Sequence, residues 1–370
     1  MIKAILYILF VFSVFAQAKV DIQVSVLAQG MERPWGVASL PDGTLVITER
    51  NGQLRLWQDN QLSNPIKGLP SVYSAGQGGL LDVKAHPNFI DNQFLYFTYA
   101  KGTNTRNATY LARAKLLDNK LVEFEVLFKA NPDKKQAYHF SGRIEFLPDT
   151  TLVFAVGDGY FYKDDAQLLS NHLGKVIRLN DDGSVPQDNP FVKSKTVKSE
   201  IFSYGHRNPQ GMYYDKKRQI LFSNEHGPKG GDEINILSAG LNYGWPIITY
   251  GIDYSGDIIS EITHKEGMEQ PLLQWTPSIA PSSLLVYYGN EFPEFNGHIL
   301  TTALKYQQLR LVKLQDMKIE SDQKSAVKVV EQETYLASFS ERLRDIEIGK
   351  FGELYIVTDS GKLLKLTKNK

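Results

Sequence analysis

A six-bladed, all-β propeller is the fold this sequence predicts, and three observations predict it. Strand-length apolar segments separated by turns run along the chain, almost nothing reads as a long amphipathic helix, and one strand–turn–strand phrase recurs six times. The cleanest copy is 35–57, WGVASLPDGTLVITERNGQLRLW. There an apolar strand enters a turn at Pro41, Asp42 and Gly43, a second strand runs from Thr44 to Thr48, and an Asn51-Gly52 turn leads to a third strand ending at Trp57. Altered copies start at Gly79, Ser141, Gln210, Ser282 and Leu343. Units of roughly 45 to 80 residues suit radial repetition better than a sandwich, because a propeller leaves only short, protected strand edges over this length.

Composition bounds the class. The chain has 370 residues, 42% hydrophobic and 22% charged, enough for a large core and compatible with one large domain or two small ones. Lys+Arg and Asp+Glu both number 41, so no bulk field draws nucleic acid or an anionic membrane. Residues 1–18 combine Lys3, an apolar run from Ala4 to Ala16 and a small-x-small end at Ala16-Gln17-Ala18, the pattern of a cleaved signal peptide. The run is shorter than the roughly 20 residues a spanning helix needs. The expectation is therefore a propeller domain over 19–370, periplasmic or secreted, with no membrane span. With no cysteine in the chain, disulfides, thiolate metal sites and cysteine nucleophiles drop out together.

The stretch 201–245 holds the densest set of candidate functional groups: His206, Arg207, Asn208, Gln210, Glu225, His226, Asp232 and Glu233 among many glycines. A core has no use for that many polar groups beside permissive backbone, whereas a ligand site does. In a propeller, residues just before the innermost strands gather at one end of the axis. Those residues are Gln77, His139, Arg207 with Asn208, and Arg342 with Arg344, while Lys305 is placed on a later strand of its blade, next to a loop. Arg342 and Arg344, at i and i+2, share one face of their strand. A lone histidine is more often a surface or core residue, and a lone arginine more often a salt-bridge partner. Converged, they form a base beside several forked cations, which suits a small polycarboxylate. The 226–233 loop, HGPKGGDE, offers carbonyls and acids for a hard cation such as calcium, or is simply a polar turn. The acidic 180–191 segment reads equally well as a solvated loop, and no nucleotide-binding or serine-hydrolase motif is present.

In order, RPWG, GQGGLLD, HFSGR, LGKVIRLN with DGSVPQDNPF, YGHRNPQG, NEHGPKGGDEIN, NYGWP and RLRD cover about 30–366. This series resembles the pyrroloquinoline quinone (PQQ)-dependent sugar dehydrogenases, and the aldose type more than the glucose-specific type. The resemblance implies that His139 takes the proton from the sugar anomeric hydroxyl. It implies that Gln77, Arg207, Asn208, Lys305, Arg342 and Arg344 hold PQQ. It also implies one calcium on the carbonyls of Gly227 and Pro228 and a second on Glu233 and the Tyr243 carbonyl, with Asp232 beside them. The expected reaction passes hydride from sugar C1 to the quinone, gives a lactone and delivers electrons to an external acceptor. Monomer and homodimer both stay open, as does the sugar. Tyr138 stands where glucose-specific members carry an acid before the base, Asp158 keeps a family acid, and the 161–170 loop departs from the family pattern. Two rivals are a non-redox propeller that binds a sugar or protein and a calcium-dependent lactonase. A base beside an anion cradle argues against the first, and a cationic centre against the second.

Overall fold

The computed structural model describes residues 19–317 and 326–369, so the expected signal peptide at 1–18 lies outside the described residues. Six four-stranded antiparallel sheets stand around one axis as the blades of a propeller. In chain order their inner strands are Pro34–Ser39, Leu80–Ala85, Ser141–Phe146, Pro209–Asp215, Pro281–Val286 and Leu343–Ile348. Each inner strand packs against the inner strands on either side, and the last packs against the first. The sixth blade takes its outermost strand, Ile22–Ala28, from the other end of the chain, where it pairs with Leu363–Lys368. That closure was not assigned from the sequence. Only Gln23 and Val26 are exposed and its other five residues are half-buried, and nothing local marks a partner about 340 positions away.

The core is a ring of wedges between neighbouring blades. Val46 and Leu54 of the first blade meet Phe97 and Ala112 of the second, and Val153 and Val176 of the third meet Met212 and Leu221 of the fourth. The ring closes where Val357 and Leu363 of the sixth blade meet Val37, Leu45 and Ile47 of the first. A strand covered on both faces has no polar side, so the second strands read as short unbroken buried runs such as Leu45–Glu49 and Leu152–Val156. This is why the repeat is visible as blocks of apolar residues rather than as alternation.

Every inner strand shifts register within its first residues: at Pro34/Val37, Leu80/Val83, Ser141/Ile144, Pro209/Gly211, Pro281/Ser283 and Leu343/Asp345. A bulge bends its strand and re-aims side chains. Here the bulged ends turn polar residues toward the axis. Buried Arg143 reaches every other blade. Its Nη1 lies 2.9 Å from both Asp82 and Asp345, Nε donates to the Gln210 carbonyl, Nη2 donates to the Ser282 carbonyl, and the guanidinium lies 4.5 Å from the Trp35 ring. The second oxygens of the two aspartates accept N–H groups of Ile144 and Val37 at 2.7 and 2.8 Å.

Removing one member of a buried, fully bonded ion network strands the others. Arg143→Leu should lower the unfolding free energy by roughly 3–5 kcal/mol, measured by denaturant titration. A loss under about 1 kcal/mol, the size of an ordinary surface change, would contradict the brace.

Candidate active site

The inner strands begin at the same end of the axis, and the residues just before them form the walls of a polar mouth. Gln77, His139, Asn208 and Arg342 immediately precede or lie within three residues of their strands, and Arg33 holds the same position before the first blade. A cavity of about 460 Å³ there is bounded by Arg33, Arg50, Gln77, Asn208, Arg342 and Arg344, with Trp35 and His226 as its ring-bearing walls. Four arginines line it against the single carboxylate Asp359. Arg342 and Arg344 both grip Asp359, each from Nε at 2.9 Å. Burial alone would raise the Asp359 carboxyl, but Arg344 and Arg342 hold it below the usual carboxylate range. Burial, with Arg344 and Arg33 nearby, pushes Arg50 down to about 10. The remaining surplus of positive charge is what a multiply anionic ligand would neutralise.

His139 sits at the edge of this cavity in a left-handed backbone conformation, φ +46°. Its N–H donates to Gln77 Oε1 at 2.7 Å, and its Nδ1 meets Asp158 Oδ1 at 2.7 Å. An ionised carboxylate only accepts, so Nδ1 carries the proton and Nε2 keeps its lone pair. Burial and then Arg207 lower the His139 pKa, and Asp158 opposes them. Asp158 is the hub of the site. Besides His139 it accepts the Tyr160 N–H and the Trp245 indole N–H, each at 2.8 Å. Gly157 is required beside it, because a Cβ there would lie 2.3 Å from the His139 carbonyl oxygen. Gly76 allows the Gln77 loop to sit equally close, since its Cβ would fall 2.5 Å from the Ala137 carbonyl oxygen. Arg50 clamps that loop by donating to the carbonyls of Gly76 and Gly78.

Arg207 links the mouth to the 226–233 loop. Its Nη1 donates to the carbonyls of His226 and Gly227 at 3.0 and 2.8 Å, and its guanidinium lies 5.3 Å from the Trp245 ring centroid. His226 donates from Nε2 to the Pro281 carbonyl, and burial with Arg207 pushes its pKa down to about 3. It is a neutral wall. A cavity of about 10 Å³, room for a single water-sized species, lies between Glu225, Glu233, Tyr243 and Gly227. Burial and the neighbouring Glu225 push Glu233 up to about 8. The two carboxylates share the Asn235 amide, at 3.2 and 3.0 Å. Among the described residues, no group of three or more His, Asp or Glu side chains is arranged around a metal position.

Of the residues singled out from the sequence, Gln77, Asn208, Arg342 and Arg344 share the large cavity and His139 adjoins it through Gln77, whereas Arg207, expected beside them, lines the small cavity and the aromatic cleft instead; Gly227, Glu233 and Tyr243 border the small one. Pro228 lies on a third, aromatic cleft. Two stand apart. Lys305 is exposed on the turn after Ile299–Ala303 rather than on a strand, its ammonium 5.6 Å from the Tyr306 ring centroid. Asp232 accepts the N–H groups of Gly227, Ile279 and Ala280 at 2.9, 2.7 and 2.7 Å, so it braces the loop. Tyr138 is half exposed, and the acid behind His139 is Asp158. Sequence reasoning missed Arg33, Arg50 and Trp245. Arg33 obeys the rule of preceding an inner strand and was within reach; Arg50 and Trp245 arrive through turns whose approach no local pattern marks.

The glucose/sorbosone dehydrogenase family matches the chain over residues 31–365. The chain belongs to this family. The Escherichia coli aldose sugar dehydrogenase YliI is 38% identical over 359 residues, covering 95% of this chain and 94% of that one. The crystal structure of the soluble aldose sugar dehydrogenase from Escherichia coli in its apo form superposes with a TM-score of 0.86 at 37% identity, over 94% of this chain and 100% of that chain. The PQQ-bound form of an aldose sugar dehydrogenase from Streptomyces coelicolor shares the fold, with a TM-score of 0.73 at 24% identity over 95% of this chain and 99% of that chain. The family and the six-bladed propeller expected from the motifs are thus both found.

In cofactor-free protein the His139 imidazole should titrate below its ordinary value of about 6.5. Asp158→Asn should move it lower still, because the group that favours the imidazolium is gone. Both shifts are readable by NMR; a wild-type value at or above the ordinary one would contradict the burial and charge balance described.

Proposed function

We propose that this chain is a PQQ- and calcium-dependent aldose dehydrogenase that acts outside the cytoplasm after loss of residues 1–18. The observation that carries the proposal is a single arrangement: a histidine with Nδ1 fixed by a buried carboxylate, beside a cavity where four arginines face one aspartate. A base alone or a cationic pocket alone has many uses. Together they fit removal of a proton from a sugar hydroxyl next to a bound polyanion.

The donors fit PQQ, whose three carboxylates match the forked guanidiniums of Arg342, Arg344, Arg33 and Arg50. Gln77 spends its carbonyl oxygen on the His139 N–H, which leaves its NH₂ for a ligand oxygen on the cavity wall. Asn208 accepts from the Ser141 hydroxyl and presents the other half of its amide. Calcium fits two places. The Gly227 carbonyl keeps one lone pair after accepting from Arg207, with the Pro228 carbonyl next to it, and the buried Glu225–Glu233 pair with the Tyr243 backbone suits a hard cation that would relieve its like charges. Asp232 holds the loop for these donors, and Lys305 stands apart on its exposed turn. When bound, PQQ would supply a hydride acceptor for sugar C1 and calcium a Lewis acid to polarise it, so that the aldose would leave as a lactone.

The chain's own residues supply the rest. His139 Nε2 takes the proton from the anomeric hydroxyl, and Asp158 keeps the ring in the required tautomer and stabilises the imidazolium that forms. Arg207 lies beside His139, where it lowers the histidine's proton affinity and so keeps the base unprotonated. Burial of His139 and Asp158 keeps water from competing for the lone pair. The proton then leaves to solvent, and the electrons pass to an acceptor outside the chain.

The test is reconstitution. Metal-stripped protein given PQQ and calcium should reduce a dye in the presence of aldoses and should need both additions. His139→Ala should lose about 100-fold or more in turnover, the usual size for a general base, while the visible spectrum still reports bound PQQ. Sugar oxidation without calcium, or full turnover in His139→Ala, would contradict the assignment, and absence of PQQ binding would favour a non-redox propeller.

A further inference from the structure

Behind His139, a lysine is buried in the wall of the mouth. Lys134 is 2% exposed and stands in the loop between the strand Lys120–Lys129 and the inner strand Ser141–Phe146, five residues before the base. Its ammonium donates to Asn107 Oδ1 at 3.1 Å and to the Gln136 carbonyl at 3.2 Å, and lies 3.5 Å from the Phe140 ring centroid. Both oxygens are neutral, and the carboxylate whose charge it feels is Asp158. A Cβ on Gly159 would lie 2.7 Å from Lys134 Cδ, so the aliphatic stem packs against the turn that follows Asp158. Burying an ammonium is costly, and an apolar side chain of similar length would fill the space without that cost. What the ammonium adds is a grip on the loop and a field.

The grip falls on both sides of His139. Gln136, His139 and Ser141 all hold left-handed backbone, at φ +61°, +46° and +54°. Non-glycine residues stay in that region only where their surroundings over-determine it. Before the base, the Gln136 carbonyl accepts from Lys134 Nζ and from Asn107 Nδ2, the latter at 3.1 Å. After it, the Phe140 ring meets the ammonium in a cation–π contact, which is strongest where water is excluded. Asn107 anchors the arrangement to the second blade. It exchanges main-chain hydrogen bonds with Lys134 at 2.9 and 2.8 Å, and its amide also donates to the Thr103 carbonyl at 2.7 Å. The field acts on the ring. His139 is faced by Asp158, which favours the imidazolium, and by Arg207 and Lys134, which oppose it; His226, held neutral, is the other titratable group within reach. Asp133, next to Lys134 in sequence, is turned to Arg106 and Lys129. Burial brings Lys134 down to about 7, whereas His139 lies below its ordinary 6.5, so Lys134 still carries its proton where His139 titrates.

We propose that Lys134 is a positioning residue for the base: its ammonium pins the loop on both sides of His139 and sets a second positive charge, besides Arg207, near the His139–Asp158 pair. The ring is thereby held in place and its Nε2 lone pair kept open for the proton of a hydroxyl. The inference rests on the aldose reading above and deepens it.

The first arm of the test needs neither cofactor nor turnover. In Lys134→Met the His139 imidazole, followed by NMR in cofactor-free protein, should titrate at higher pH than in wild type, because a charge that disfavours the imidazolium is gone. Lys134→Gln, which keeps donors for Asn107 and Gln136 without the charge, should show the same rise. Each variant replaces a buried charge with a neutral side chain, so circular dichroism should show both folded, and either alone suffices for the titration. In the kinetic arm, reconstituted Lys134→Met should lose about tenfold or more in kcat with KM little changed, as a displaced base does. Lys134→Gln should keep more of kcat, and in both variants the acid limb of kcat/KM should move to higher pH. A His139 titration unmoved or lowered in the folded variants, or full kcat in Lys134→Met, would overturn the proposal. A raised titration with no sugar oxidised by the wild-type protein would keep the role of Lys134 at His139 and reject the aldose reading instead.

Discussion

One guanidinium sets the geometry on which the rest depends. Arg143 bonds or stacks to residues of all five other blades, and its two aspartate partners pass the constraint on to the backbone of the first and third blades. A buried arginine must have its donors met, and only a closed ring of six blades meets these. The apolar wedges between blades provide the burial, but they are non-directional and alike. The network at the axis is directional, and it fixes how the bulged strand ends meet.

The site follows from that meeting. The first, second, fourth and sixth blades each deliver a polar residue to the cavity at the start of the inner strand, Arg33, Gln77, Asn208 and Arg342, and the third places His139 beside it, while the fifth contributes only the apolar Ala280 and Leu304. Asp158 performs at the site the organising role that Arg143 performs at the axis. Its Oδ1 orients His139 and accepts the Tyr160 N–H, and its Oδ2 accepts the Trp245 indole, so one carboxylate also sets two walls of the aromatic cleft. His139, the cationic cavity it joins through Gln77, and the cleft are therefore mechanically one unit, and a change at Asp158 would be felt in all three.

What was legible in the sequence was whatever repeats or precedes a repeat. Doubly covered strands show as apolar blocks, and the polar residue before each block marks the mouth, which is how Gln77, His139, Arg207, Asn208, Arg342 and Arg344 could be collected. Position relative to the next strand was enough for them. It was not enough for Lys305, whose turn leaves it exposed against Tyr306, nor for Asp232, whose oxygens are taken by three main-chain N–H groups supplied partly from about 47 residues away. Arg143 was visible only as part of a strand, because its partners come from other blades. The closing strand Ile22–Ala28 and the contributions of Arg50 and Trp245 depend on contacts between distant segments, which no local periodicity encodes.

The central claim is that the surplus of arginine at the mouth exists to hold an anionic quinone next to His139. Equilibrium titration of PQQ into calcium-loaded protein, followed by the visible spectrum of the quinone, tests it most directly. Wild-type protein should bind one equivalent, Arg342→Ala with Arg344→Ala should weaken binding by an order of magnitude or more as charge-assisted contacts are lost, and added salt should weaken the wild type. Unchanged affinity in the double variant would contradict the account and leave the cationic mouth to some other ligand.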